Sequence, residues 1–284
     1  MFYSVLVLSR NVMMQTRTKT FAENLMSAIK IWTFLLVGSL FALNLGSCSG
    51  KISGMWPSSS SSACSGNTSF ANVTCPAAVI WSTQGAVNLT GAYSVVDAYD
   101  SGAGAYGGGN TISAGNVIAA SVFSNTGTGT LVSGSISQGA VDNLLMVNPT
   151  VALQGVTIVA ASGQTIVLTA GDYYFSTIDW TGSLFKLQTT GGRVRVWFDT
   201  LNITGSSNIV GNSAPNNLWF LGTCGATANI SGANGQMNAI IYNPTGTVNL
   251  TGASAQYFGG FIGAVINATG AYSGYHRDQS ICGY

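Results

Sequence analysis

The sequence predicts an all-β protein, a single-stranded parallel β-solenoid with coils of roughly 18–27 residues, on three observations. A five-residue phrase is written five times: Val87-Asn88-Leu89-Thr90-Gly91, Leu201-Asn202-Ile203-Thr204-Gly205, Ala228-Asn229-Ile230-Ser231-Gly232, Val248-Asn249-Leu250-Thr251-Gly252 and Ile266-Asn267-Ala268-Thr269-Gly270. Each copy alternates apolar and polar residues and stops on glycine, the pattern of a strand with one buried face and a turn at its end. The 284 residues contain 37 glycines and are 46% hydrophobic but only 6% charged, with no glutamate after Glu23, which disfavours surface helices. The last four copies of the phrase are spaced by 27, 20 and 18 residues, and a second apolar run lies between each pair. Repeats of that size fit one coil of a stacked β architecture, with loops inserted unevenly.

From the N-terminus, residues 31–45 form an apolar run preceded by Lys30 and followed by Gly46, Ser47 and Cys48. That is the layout of an export signal, expected over residues 1–47, and Met26 by itself opens a conventional one, so translation is expected to start there. Leu45-Gly46-Ser47-Cys48 is similar to a bacterial lipobox, which implies lipidation of Cys48 and a membrane anchor in the outer membrane or on the cell surface of a bacterium. An ordinary secretory signal and an uncleaved anchor remain open. Residues 48–75, with Ser58 to Ser62 unbroken, read as a flexible tether, and residues 76–284 as one folded domain.

Five cysteines are odd in number for an exported protein, and lipidation of Cys48 leaves four. Cys64, Cys75, Cys224 and Cys282 allow three pairings; the sequence-local choice is Cys64 with Cys75 and Cys224 with Cys282, and buried free thiols are the alternative. No CxxC spacing suggests zinc.

Within the phrase, the period of two puts aliphatics on one face and Asn and Thr on the other. The expected arrangement buries the aliphatics, sets Asn88, Asn202, Asn229, Asn249 and Asn267 in an outward ladder, and gives Gly252 a backbone angle that a side chain would oppose. An internal asparagine ladder is the alternative. Strand edges at the ends of a stack need a cap, and residues 272–284 are expected to provide the C-terminal one.

The stretch Val96-Asp97-Ala98-Tyr99-Asp100-Ser101-Gly102 with Tyr106 and Asn110, the segments 170–174, 194–197, 217–218 and 239–244, and the ending Gly274-Tyr275-His276-Arg277-Asp278 together resemble a domain of unknown function. Such domains occur in exported, low-complexity bacterial surface proteins, some connected with type IV pilus assembly. The resemblance spans roughly residues 85–280 and implies a β-helical envelope domain with no established activity and no catalytic residues to carry over.

Chemistry-bearing residues are sparse. His276 is the sole histidine, without a second ligand at metal spacing, and no GxSxG elbow accompanies it, so a hydrogen bond within a cap is the expected role. Asp97 and Asp100 are weak calcium candidates, with turn formation as the simpler role. Past Cys48, five basic residues face seven aspartates, so nothing favours nucleic acid. The tyrosines and tryptophans between Tyr93 and Tyr275 are expected mostly in the core, with some left to line a binding face.

No cofactor is expected. The expected function is a non-enzymatic, lipid-anchored structural or adhesive protein of the envelope that contacts envelope or pilus proteins or surface glycans. The alternative is a carbohydrate- or ice-binding solenoid, against which the uneven spacing argues because it needs a regular Thr array. A polysaccharide-cleaving enzyme is remote.

Overall fold

The computed structural model describes residues 64, 67–73, 77–107, 111–112, 115–139, 144–212 and 214–279, which belong to one compact unit spanning Ser60–Tyr284. Their fold is all-β, with no α-helix and two single 3-10 turns, Phe70–Asn72 and Pro215–Asn217. Sixteen strands share one sheet, in which every pairing is parallel except that of Val95–Tyr99 with Thr111–Ile112. Lys186–Thr204, Ile209–Val210, Gln236–Leu250 and Leu218–Ser231 close into a ring of parallel pairings.

The phrase aligns with itself from rung to rung. Asn202 pairs in register with Asn229, Asn229 with Asn249, and Asn249 with Asn267. Spacing in the chain is uneven because extra residues bulge between faces, as between Asn243 and Thr247, while each rung regains its register. Aliphatics of the phrase point inward: Val248, Leu250, Ile266, Val87 and Leu89 are all fully buried. At about 1.5–3 kcal/mol per buried side chain, these columns supply the main stabilising term.

Rung order in space differs from rung order in the chain. After Gln256–Ala268 the next rung is made by Ile80–Ser82 and Val87–Leu89, followed by Val117–Ala119 and Phe123–Asn125, then Ile136–Gln138. Residues 77–139 therefore form a block that stacks on the far end of the block beginning at Gly155. Gly274–Asp278 lies between Gln256–Ala268 and Val95–Tyr99, so the segment expected as a C-terminal cap is, over its described residues, an internal rung.

From Gly139 the chain must return to the other end of the stack. Its described part, from Leu144, lies over an outward column made of Trp81, Ile262, Tyr242, Leu221, Trp197 and Tyr174. Met146–Val147 pairs with Asn67–Thr68, and Phe70 packs edge-on against Trp219 at 5.1 Å. Trp197 donates its Nε1–H to the Val147 carbonyl at 2.9 Å and the Tyr242 hydroxyl donates to that of Leu145 at 2.8 Å, which satisfies these two aromatic polar atoms. Phe70 and Val73, within the expected tether, are thus buried parts of the fold. Cys64 is bonded to Cys224 across a Cα–Cα distance of 5.5 Å, which replaces both sequence-local pairings; Cys75 and Cys282 lie outside the described residues. Closing a loop of 160 residues, the bridge fastens the strap to the stack.

Glycines of the phrase are required for a different reason from the expected one. Of the five, only Gly205 has positive φ, at 105°. A Cβ on Gly91, Gly232, Gly252 or Gly270 would instead collide with the carbonyl oxygen of the corresponding glycine one rung below. The left-handed corner falls two residues later, at Tyr93, Leu184, Ser207, Asn234, Ser254 and Tyr272, with φ between 54° and 61°. Each of these donates its N–H to the next rung, as Ser254 does to Ala271 at 2.8 Å.

Gly252→Ala is expected to cost on the order of 3 kcal/mol through overpacking against the Gly232 carbonyl. Gly155→Ala, whose Cβ would approach only the Phe175 ring at 3.7 Å, should stay within about 0.5 kcal/mol in the same urea titration. Burial pushes the Tyr257 hydroxyl up from 10.0 to about 12, against a lowering by its hydrogen bond with the Gly252 N–H. Because the folded value lies above the unfolded one, this contribution is intact below pH 10 and is lost as pH rises toward 12. Alkaline unfolding followed by circular dichroism should coincide with tyrosinate absorbance that appears above the usual tyrosine range.

Candidate functional site

Two features stand out from the aliphatic stack: an outward face of Asn and Thr, and a polar cluster at the seam between the two blocks.

On the outward face, strand pairing and side-chain bonding run along the same column. Asn229 donates its Nδ2–H to Asn202 Oδ1 at 2.9 Å, Asn249 to Asn229 at 2.7 Å, Asn267 to Asn249 at 2.7 Å, and Asn88 to Asn267 at 2.8 Å. The ladder is outward and half-buried as expected, and it also has the rung-to-rung bonding of the internal alternative. Asn88 closes it from the other block. Each amide in the middle donates to one neighbour and accepts from the other, so both partners fix its orientation.

Two residues along the strand, a threonine column parallels the asparagines. Thr251, Thr269, Thr90 and Thr126 hold the same position on four successive rungs and are all exposed. Their backbone N–H groups donate to Ile230, Leu250, Ala268 and Leu89 at 2.9 to 3.2 Å, so the column is regular although the phrase is unevenly spaced in the chain. Along the stack the hydroxyls repeat at about 4.8 Å, and the Asn column lies about 6.6 Å away along each strand.

The seam brings together the two segments that opened and closed the family-like pattern. His276 pairs in register with Asp97, and Asp278 with Tyr99. His276 Nδ1 faces Asp97 Oδ1 at 2.5 Å, and its Nε2 faces Gln256 Oε1 at 2.8 Å. Tyr106 donates its hydroxyl to Asp97 Oδ2 at 2.6 Å, and its ring lies 3.9 Å from the imidazole. Phe258 stacks on the imidazole at 4.8 Å and meets the Tyr106 ring edge-on at 5.5 Å. Ser101 donates both its N–H and its hydroxyl to Asp278, at 3.0 and 2.6 Å. Burial first, and Asp278 second, push the Tyr99 hydroxyl well above its ordinary value. Outside the cluster, Tyr93 from one block and Tyr272 from the other stack at 5.2 Å.

Chemically this is a closed lock. His276 and Asp97 are 1% and 4% exposed. Of the two calcium candidates, Asp97 has both oxygens engaged by His276 and Tyr106, and Asp100 accepts from the Gly102 N–H in a turn. Among the described residues no group of three or more His, Cys, Asp or Glu could hold a metal ion. Of the aromatics considered for a binding face, Trp180, Trp197, Trp219, Tyr257 and Tyr275 are buried, while Tyr93 and Tyr272 are exposed. Cys48, the expected lipidation site, lies outside the described residues. Tyr106, Gln256 and Ser101 complete the lock, and no spacing signal in the chain joins them to His276 and Asp278.

Removing His276 should leave Asp97 Oδ1 buried without its hydrogen-bond partner. His276→Ala is expected to lose about 1–3 kcal/mol in urea unfolding, and the Asp97→Asn, His276→Gln pair to recover much of it. Asn249→Ala orphans two amides and is expected to cost about 1–3 kcal/mol by the same measurement.

Residues 150–272 match the family model of a domain of unknown function, DUF8470. The match spans the consecutively stacked block and ends before the lock residues His276 and Asp278; residues 77–139 fall outside it. No curated protein and no solved structure gives a significant match to the chain.

Proposed function

We propose that the chain is a non-enzymatic envelope protein of a bacterium, exported, anchored through a lipid on Cys48, and presenting a rigid Asn/Thr face for structural or adhesive contact. In this reading the stacked parallel ladders are the coils of a β-solenoid. The observation that carries it is the continuous asparagine ladder from Asn202 to Asn88, which holds an uncharged polar face in one plane across both blocks. Weak contacts repeated along such a face add through multivalency. The closed seam cluster supports a structural role for the chain's histidine. Surface glycans and envelope or pilus proteins are the partners this face would take.

A second reading, carbohydrate or ice binding, is favoured by the Thr251, Thr269, Thr90 and Thr126 column. The uneven spacing that argues against a regular array in sequence is absent from the array in space.

Cells displaying the protein should adhere to polysaccharide-coated surfaces, and Thr90→Lys with Thr269→Lys should remove most of that adhesion with circular dichroism unchanged. Cys48→Ala should shift the protein from the membrane to the soluble fraction. Unchanged adhesion in the lysine variant overturns the role of the face; thermal hysteresis lost in that variant decides for ice.

A further inference from the structure

Among the described residues, both ends of the stack carry strand edges with no strand partner. At one end lie Gly155–Ala160 and residues 165–169, with Val156 71% and Val159 63% exposed. At the other lie Phe123–Asn125, Leu131–Val132 and Ile136–Gln138, with Leu131 58% and Ile136 43% exposed. No charged residue or proline interrupts any of these segments, the usual devices that protect an edge. Backbone polarity is also complementary. In the corner column each left-handed residue donates its N–H to the rung above it, starting with Gly163 to Ser183 and ending with Tyr93 to Thr128. Among the described residues the column therefore ends in the Gly129 N–H at one end and begins with the Ser162 carbonyl at the other.

Such ends would extend the stack head to tail with a second copy of this chain, and a heterologous contact of that kind does not close. One position opposes it. In every described rung with a neighbour below, the residue two before the left-handed corner is glycine: Gly182, Gly205, Gly232, Gly252, Gly270, Gly91 and Gly127. A Cβ on any of them would collide with the backbone of the rung below. In the first rung, which has no rung below it among the described residues, that residue is Ala161. A second copy docked in register would bring its Gly127 carbonyl against the Ala161 methyl.

We propose that the Ala161 methyl group is the stop that prevents end-to-end addition of a second copy of this chain at the Gly155–Ala160 edge. The inference rests on edge and corner geometry, independent of any ligand for the Asn/Thr face.

The test is sedimentation velocity of the purified protein over a concentration series. Wild type is expected as a monomer, and Ala161→Gly as a concentration-dependent ladder of dimers and longer species with unchanged circular dichroism. Ala161→Gly combined with Leu131→Lys, which charges the opposite edge, should return to monomer. Mixing Ala161→Gly with the doubly substituted chain should produce short, capped species. A wild type that already forms the ladder, an Ala161→Gly chain as monomeric as wild type, or an assembly that stops at the dimer would each overturn the proposal.

Discussion

Rung-to-rung backbone contact at the corner, where a glycine carbonyl of one rung lies against the α-carbon of the glycine in the next, sets the geometry on which the other columns depend. With the corner that close, strands on the adjoining face meet at hydrogen-bonding distance, and the aliphatics and asparagines fall into line behind it. A side chain at one corner would separate two rungs along several columns at once. The buried hydroxyls of Ser94 and Ser273 complete the corner by donating to the Gly270 and Gly252 carbonyls at 2.8 and 2.6 Å, which leaves those acceptors satisfied away from water.

Where consecutive rungs are joined by the chain itself, the aliphatic columns and the asparagine ladder are accompanied by polar contacts such as that of Arg195 with Asp172. The seam between residues 256–278 and 80–101 has no such covalent guidance, and specific polar and aromatic contacts join it: His276 with Asp97, Asp278 with Ser101, and Tyr272 with Tyr93. Buried polar groups add little net stability but penalise misalignment, because a shifted register leaves them without hydrogen-bond partners. That property suits a joint that must find one register among many similar rungs.

The strap follows from the same rearranged order. Stacking residues 77–139 beyond residue 278 obliges the chain to travel back along the molecule to begin the other block. It does so over a column of large apolar side chains, which therefore faces protein on both sides. This accounts for the continuous apolar runs at 218–221 and 239–242, which lack the alternation of the phrase.

The sequence by itself determined strand content, repeat unit, and which residues of the phrase face inward, since alternation and glycine placement are local properties of a pleated chain. It also held a signal for the stacking order. Gly91 sits in the earliest copy of the phrase, yet glycine is needed there only if a rung lies beneath, and Ala161 marks a rung that has none among the described residues. The Cys64–Cys224 bond, the burial of Trp197 and Trp219, the meeting of His276 with Asp97, and the regular threonine column were decided only by tertiary structure. Each depends on which rung lies next to which, and that order is set by long-range packing between segments up to 182 residues apart.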